Sequence, residues 1–140
     1  MINLIQKGSE MILYHAGLSK IKKFDLSKGC HFGSKESALE AALRKVELFA
    51  NATIYLHKIS IPNEVMRTYE TFDAGCEENW KSVIEFAILS GYNSIKYMNK
   101  YEPSSYPSFI LLEELTNCVV LESVVTYNSS DVEQYLTTCF

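Results

Sequence analysis

Four consecutive pieces of the chain decide its fold class: Ser94-Ile95-Lys96-Tyr97-Met98, the polar run Asn99 to Pro107, Ser108-Phe109-Ile110-Leu111-Leu112, and Cys118-Val119-Val120-Leu121-Glu122-Ser123-Val124-Val125-Thr126. Three of them are short, β-branched and apolar, and polar or proline-containing connections separate them, which is the composition of strands. No helical period lies between them. Strands that succeed one another without a crossover helix argue against a doubly wound parallel sheet, so the order predicts an α+β fold with mainly antiparallel sheets.

The remainder of the chain agrees with that reading. Ile12 to Ala16 reads as a short strand closed by Gly17, and Cys30-His31-Phe32 as a second one ended by Gly33-Ser34. Between them Lys20 to Gly29 is a polar connection, with Phe24 and Leu26 placed to pin it to the core. Ser34 is a good N-cap for a helix over Lys35 to Phe49, whose Ala38, Leu39, Ala42, Val46 and Phe49 recur at helical spacing. Thr53 to Ile61 alternates as a strand that Pro62 stops, and Asn63 to Cys76 has no clear period. A second helix, Glu78 to Ser90, carries Trp80, Val83, Ile84, Ala87 and Ile88 on one stripe, with Gly91 as its stop. Asp131 to Leu136 reads as a terminal turn of helix. The expected architecture is one domain over 1–140, two small sheets with two flanking helices.

Composition narrows the partners. A net charge of −4 argues against nucleic acid held by bulk electrostatics, since phosphate binding shows as a basic excess. The cluster Lys20, Lys22, Lys23 and Lys28 reads as a solvated face or a local patch. Four cysteines, Cys30, Cys76, Cys118 and Cys139, form no CxxC pair, and with three histidines a zinc site is not expected. A reduced cytosolic setting, in the encoding cell or in a host cell, follows from that usage. No apolar run reaches the roughly 20 residues of a membrane span, and Met1 to Met11 does not read as a signal peptide.

Three segments carry candidate chemistry. In Leu13-Tyr14-His15-Ala16-Gly17 a histidine inside an apolar strand precedes a small residue and a glycine, where a backbone approaches something closely. The imidazole is either a ligand contact or a core histidine satisfied by backbone. In Cys30-His31-Phe32-Gly33-Ser34, the rings offer a stacking surface or core packing, and Ser34 a ligand contact or a cap. Gly91 to Glu102 ends in a loop with a single carboxylate between two apolar strands, and Glu102 is a candidate acid or a solvated loop residue.

In order, Tyr14-His15-Ala16-Gly17, His31-Phe32-Gly33-Ser34, Gly91 to Glu102 and Ser108-Phe109-Ile110-Leu111 resemble the ADP-ribosyltransferase superfamily of the diphtheria-toxin and poly-ADP-ribose-polymerase type. They look closest to its small phage and bacterial members, and the resemblance spans residues 12 to 125. It implies a domain whose two sheets form a cleft for NAD⁺. His15 would take the first place of the superfamily's His-Tyr-Glu triad, on the adenosine ribose. His31 stands where the triad has tyrosine, with Phe32 beside it. Tyr14, Ala16, Gly17, Gly33, Ser34, Tyr97 and Asn99 would complete the NAD⁺ contacts. Glu102 would be the catalytic glutamate, set in the loop before the strand, while Ser108 holds the strand-opening place. Ala16 replaces the usual glycine.

The activity so implied is mono-ADP-ribosylation of a host protein, without a metal, by a phage- or pathogen-borne modifier. Some members of the phage group inactivate defence complexes such as those of CRISPR systems. The alternatives are an NAD⁺ glycohydrolase, a nucleic-acid ADP-ribosyltransferase, and an inactive binding or inhibitor protein on the same scaffold.

Overall fold

The computed structural model describes residues 8–47, 50–98 and 107–139. Two sheets face each other. The first has the order β1 (Glu10–Gly17), β3 (Thr53–Pro62), β7 (Val120–Asn128), and both of its pairings are antiparallel. The second runs β2 (Cys30–Phe32), β6 (Ser108–Leu111), β5 (Ser94–Met98), β4 (Thr68–Phe72), antiparallel except for the β4–β5 pair. Three helices, α1 (Lys35–Leu43), α2 (Glu77–Leu89) and α3 (Ser129–Cys139), cover the outer faces. The class is α+β.

Alternation within β3 explains the layering. Ile54 and Leu56 point one way, onto Ala38, Leu39 and Ala42 of α1 and Val132 and Leu136 of α3. Ile59 and Ile61 point the other way, between the sheets, against Leu13, Phe32, Phe109 and Leu111. Phe24 and Leu26 close that middle layer from the β1–β2 connection, as their spacing predicted. The outer face of the second sheet packs Ile95, Tyr97, Ile110 and Leu112 on Trp80 and Ala87 of α2. Each fully buried Leu or Ile here contributes about 1.5–3 kcal/mol by leaving water. A strand buried on both faces needs a polar group to be matched, and His57 is: Ile21 donates its backbone N–H to Nε2 at 2.9 Å, and Nδ1–H donates to the His15 carbonyl at 3.1 Å. His57 thereby holds the connection after β1 in place.

Several elements differ from their sequence readings. The structure has three helices among the described residues, not two: Val132 and Leu136, one turn apart, bury against α1 and extend the expected terminal turn into an eleven-residue helix. β4 lies in the stretch that shows no period, because a short edge strand with mixed exposure leaves no alternation. Helix α1 ends at Leu43, earlier than Phe49, which lies outside the described residues. Pro62 sits inside β3 rather than after it, at the end of the ladder opposite Glu10. β7 begins at Val120, not Cys118, because Cys118 N–H bonds back to the Leu115 carbonyl in a turn.

The segment Gly91 to Ser94 is a structural junction. Gly91 adopts φ +87° after α2, a conformation that only glycine takes without strain. Asn93, 1% exposed, accepts the Arg67 backbone N–H on Oδ1 at 2.8 Å and donates through Nδ2 to the Val65 carbonyl at 2.8 Å and to Glu114 at 3.0 Å. Arg67 closes the network on Glu114 at 2.6 Å and on the Gly91 carbonyl at 2.9 Å. Asn93→Ala strands the Arg67 and Val65 backbone groups, so a loss of about 2–3 kcal/mol is expected. Urea unfolding of the two proteins checks it, and a change below half a kcal/mol would show that water replaces the amide.

Candidate functional site

The two sheets touch at one end through a single bridge. Tyr14 N–H donates to the Gly33 carbonyl at 2.8 Å, and Gly33 N–H donates to the Tyr14 carbonyl at 2.9 Å. Gly33 is closely packed: a Cβ there would meet Ser108 Oγ at 3.1 Å and Ser37 Cβ at 3.4 Å, so a side chain would require these serines to shift by a few tenths of an ångström. Beside this bridge opens a cleft of about 370 Å³, walled by β1, β2, the Tyr97–Ser108 pair and one face of α1. Its size falls in the roughly 300–1,000 Å³ range of small-molecule sites.

The cleft gathers Tyr14, His15, Ala16, His31, Phe32, Gly33 and Tyr97, seven of the residues singled out in the sequence. Ser34 is the N-cap of α1, its Oγ accepting the Ser37 N–H at 3.1 Å, and it does not line the cleft. Gly17 is also outside the lining, though a Cβ on it would meet His15 Cε1 at 3.6 Å. Asn99 and Glu102 lie outside the described residues. The chain leaves β5 just after Tyr97 and enters β6 at Ser108, and both residues belong to the cleft wall.

His15 is enclosed by rings: Phe24 at 5.4 Å, Phe32 at 5.9 Å and His57 at 5.8 Å between centroids. Its Nδ1 is buried with no hydrogen-bond partner, a cost that a buried polar atom normally avoids. Burial, followed by the neighbouring His57 and then Lys45 and His31, pushes its pKa down to about 4. Phe32, also edge-on to Phe24 at 5.1 Å, is a core residue that only borders the cleft. His31 is different. It is exposed at the cleft mouth, its Nδ1 hydrogen-bonds the Tyr97 hydroxyl at 2.7 Å, and Trp80 and Tyr97 stand edge-on to it at 5.6 and 5.7 Å. Enough protein surrounds the ring for desolvation to lower its pKa, with Asp73 opposing and Lys45 adding to the shift. Trp80, a core residue that does not line the cleft, packs on Tyr97 at 4.6 Å.

Two cations were not anticipated. Arg44 and Lys45, just past the end of α1, line the cleft, and Lys45 is near enough to depress both histidines. The helix period beyond Leu43 suggested continued core packing, so no pattern marked these residues as cleft cations. Ser37, Ala38 and Ala41 give the cleft its floor along α1. Cys30 also lines it, and burial raises its thiol pKa to about 11, which disfavours the nucleophilic thiolate. Cys30, Cys76 and Cys118 are free thiols. Among the described residues no group of three His, Cys, Asp or Glu side chains is placed to hold a metal ion, and no helix is long and apolar enough to cross a membrane.

The shift on His15 has a measurable consequence. Unfolded, the ring titrates near 6.5; folded, near 4. As pH falls through that window the unfolded chain takes up a proton that the folded one cannot match, so stability is lost on acidification. The expected slope from this group is up to about 1.4 kcal/mol per pH unit. Denaturant titrations at pH 7 and pH 5 should show the decline, and His15→Phe should flatten it. An equal slope in both proteins would place the acid sensitivity elsewhere. No family model, curated protein or solved structure matches this chain.

Proposed function

We propose that the chain is a mono-ADP-ribosyltransferase of the diphtheria-toxin and poly-ADP-ribose-polymerase type, which takes NAD⁺ as donor and a host protein side chain as acceptor. The observation that supports this most is convergence. Tyr14 to Ala16, His31 to Gly33 and Tyr97, three segments quoted in the resemblance, line one cleft beside an orphaned histidine nitrogen. A ribose hydroxyl is a fitting partner for that imidazole, because it both donates and accepts.

In this reading His15 holds the adenosine ribose. His31 and Tyr97 give the nicotinamide an aromatic wall, with Trp80 packed on Tyr97, and Arg44 and Lys45 face the diphosphate. Glu102 is assigned from the sequence alone: its carboxylate would hold the nicotinamide ribose. Nicotinamide leaves as positive charge develops on that sugar, and a neighbouring carboxylate stabilises this charge most in the transition state. The acceptor side chain then bonds the same carbon and passes its proton to a base. Phage- or pathogen-type modifiers that silence a host defence protein are the setting that the resemblance implies.

Two measurements test the reading. NAD⁺ at one hundredfold its dissociation constant should stabilise the fold by about 2.7 kcal/mol. His15→Ala should weaken NAD⁺ binding, and no melting shift at millimolar NAD⁺ would reject the cleft assignment. Glu102→Gln should reduce transfer of labelled ADP-ribose by about 10² or more while NAD⁺ affinity stays near wild type. Label recovered as free ADP-ribose instead would make water the acceptor. Wild-type transfer by Glu102→Gln would remove Glu102 from catalysis.

A further inference from the structure

The second sheet ends in β4, which pairs only with β5 among the described residues. An edge strand presents a row of main-chain N–H and C=O groups to whatever lies beside it, a template for another strand. Proteins blunt such edges with charge, proline or a bulge, or cover them. β4 has no proline, and its only charged side chain, Glu70, is turned to Lys96 of β5 at 3.2 Å. What borders the edge is apolar. Phe72 is 91% exposed and Phe86 53%, and the Phe86 ring lies 5.3 Å from Tyr69 of β4. A groove of about 400 Å³ opens beside the strand on the sheet face, lined by Thr68, Tyr69 and Glu70 together with Lys96 of β5, Phe109 of β6 and Met11 of β1.

Charge defines what fits there. Residues 68–90 hold five carboxylates, Glu70, Asp73, Glu77, Glu78 and Glu85, against one cation, Lys81. With Glu70 paired to Lys96, the other four carboxylates against Lys81 leave this β4–α2 unit a net charge of −3, while the cleft has Arg44 and Lys45 in its wall. A segment attracted to the β4 edge is thus basic, extended and apolar on alternate residues, which is the chemistry of strand addition. We propose that the β4 edge, flanked by Phe72 and Phe86, docks a lysine- or arginine-rich extended segment of a partner protein as an added strand.

Position links this edge to the cleft. β4 and β5 are parallel, with Thr71 beside Tyr97 and Phe72 beside Met98. A strand added to β4 therefore ends about two strand spacings, roughly 10 Å, from Tyr97. If the cleft transfers ADP-ribose, the docked protein is the acceptor; this clause rests on that reading, whereas the docking itself does not.

The test uses the full chain without NAD⁺. A fluorescent peptide of alternating lysine and valine is titrated by anisotropy, beside the same peptide N-methylated at every second amide and an alternating glutamate–valine peptide. Hydrogen exchange is followed at residues 68–72. The lysine peptide should bind and slow exchange in β4. Both control peptides should bind about tenfold more weakly or worse, and added salt should weaken the complex. Phe72→Ser, an exposed change whose intact fold is checked by melting, should lower affinity about tenfold, and Glu78→Lys with Glu85→Lys should do so at low salt. Equal binding of the N-methylated peptide, unchanged exchange in β4, or wild-type affinity in Phe72→Ser would overturn the proposal. Self-association that Phe72→Ser abolishes would also overturn it, by giving the edge to a second copy of this chain. Loss of label transfer with peptide docking intact would reject the transferase reading alone.

Discussion

Two hydrogen bonds between Tyr14 and Gly33 set the geometry on which the rest of the molecule depends. They tie the edge strand of one sheet to the end of the other, at 2.8 and 2.9 Å. The absence of a side chain at Gly33 lets Ser108 and Ser37 close around it. From that tie the sheets diverge: the middle layer fills with Leu13, Phe32, Ile59 and Leu111, and the open side becomes the cleft. Among the described residues the cleft is thus a consequence of how the layers are joined.

Polarity is divided across the fold. The cleft wall holds two histidines whose pKa values desolvation lowers, with Arg44 and Lys45 nearby, while β4 and α2 hold carboxylates. Neutral imidazoles in an electropositive wall favour a ligand that brings negative charge and hydroxyl groups. The acidic, apolar edge favours the opposite. This division is what the two binding proposals, a small anionic ligand and a basic segment, rest on.

Much of the fold was legible because the signals were local. Ser94–Met98 and Cys30–Phe32 have the expected limits, Ser34 caps α1, and Gly91 ends α2 with a positive φ. β4 was not legible, since a five-residue edge strand buries too little on either face to leave a period in its sequence. Helix α3 was under-read because Val132 and Leu136 acquire meaning only against α1. In the site, His15, His31 and Tyr97 stood out by their motifs. Arg44 and Lys45 carried no signal, because a cation within the expected helix Lys35 to Phe49 reads as part of its solvated face until the opposite wall is known. Asn93 was read with the chemistry and proves to be structural, its amide consumed by backbone groups of neighbouring segments.

By itself the sequence determined the α+β class, through strands that follow one another without a helix near the C-terminus, and the short list of chemically unusual segments. Those follow from steric and hydrophobic preferences that act over a few residues. Only the tertiary structure decided which of those residues share a surface. His15, His31 and Tyr97 are separated by up to 82 positions and meet because the Tyr14–Gly33 bridge and the β2–β6–β5 ladder bring their strands together. It also decided that His15 is enclosed with an unpaired nitrogen while His57, on the neighbouring strand, is fully bonded. Burial and pairing are properties of the packed layers, and the identity of a single residue does not encode them.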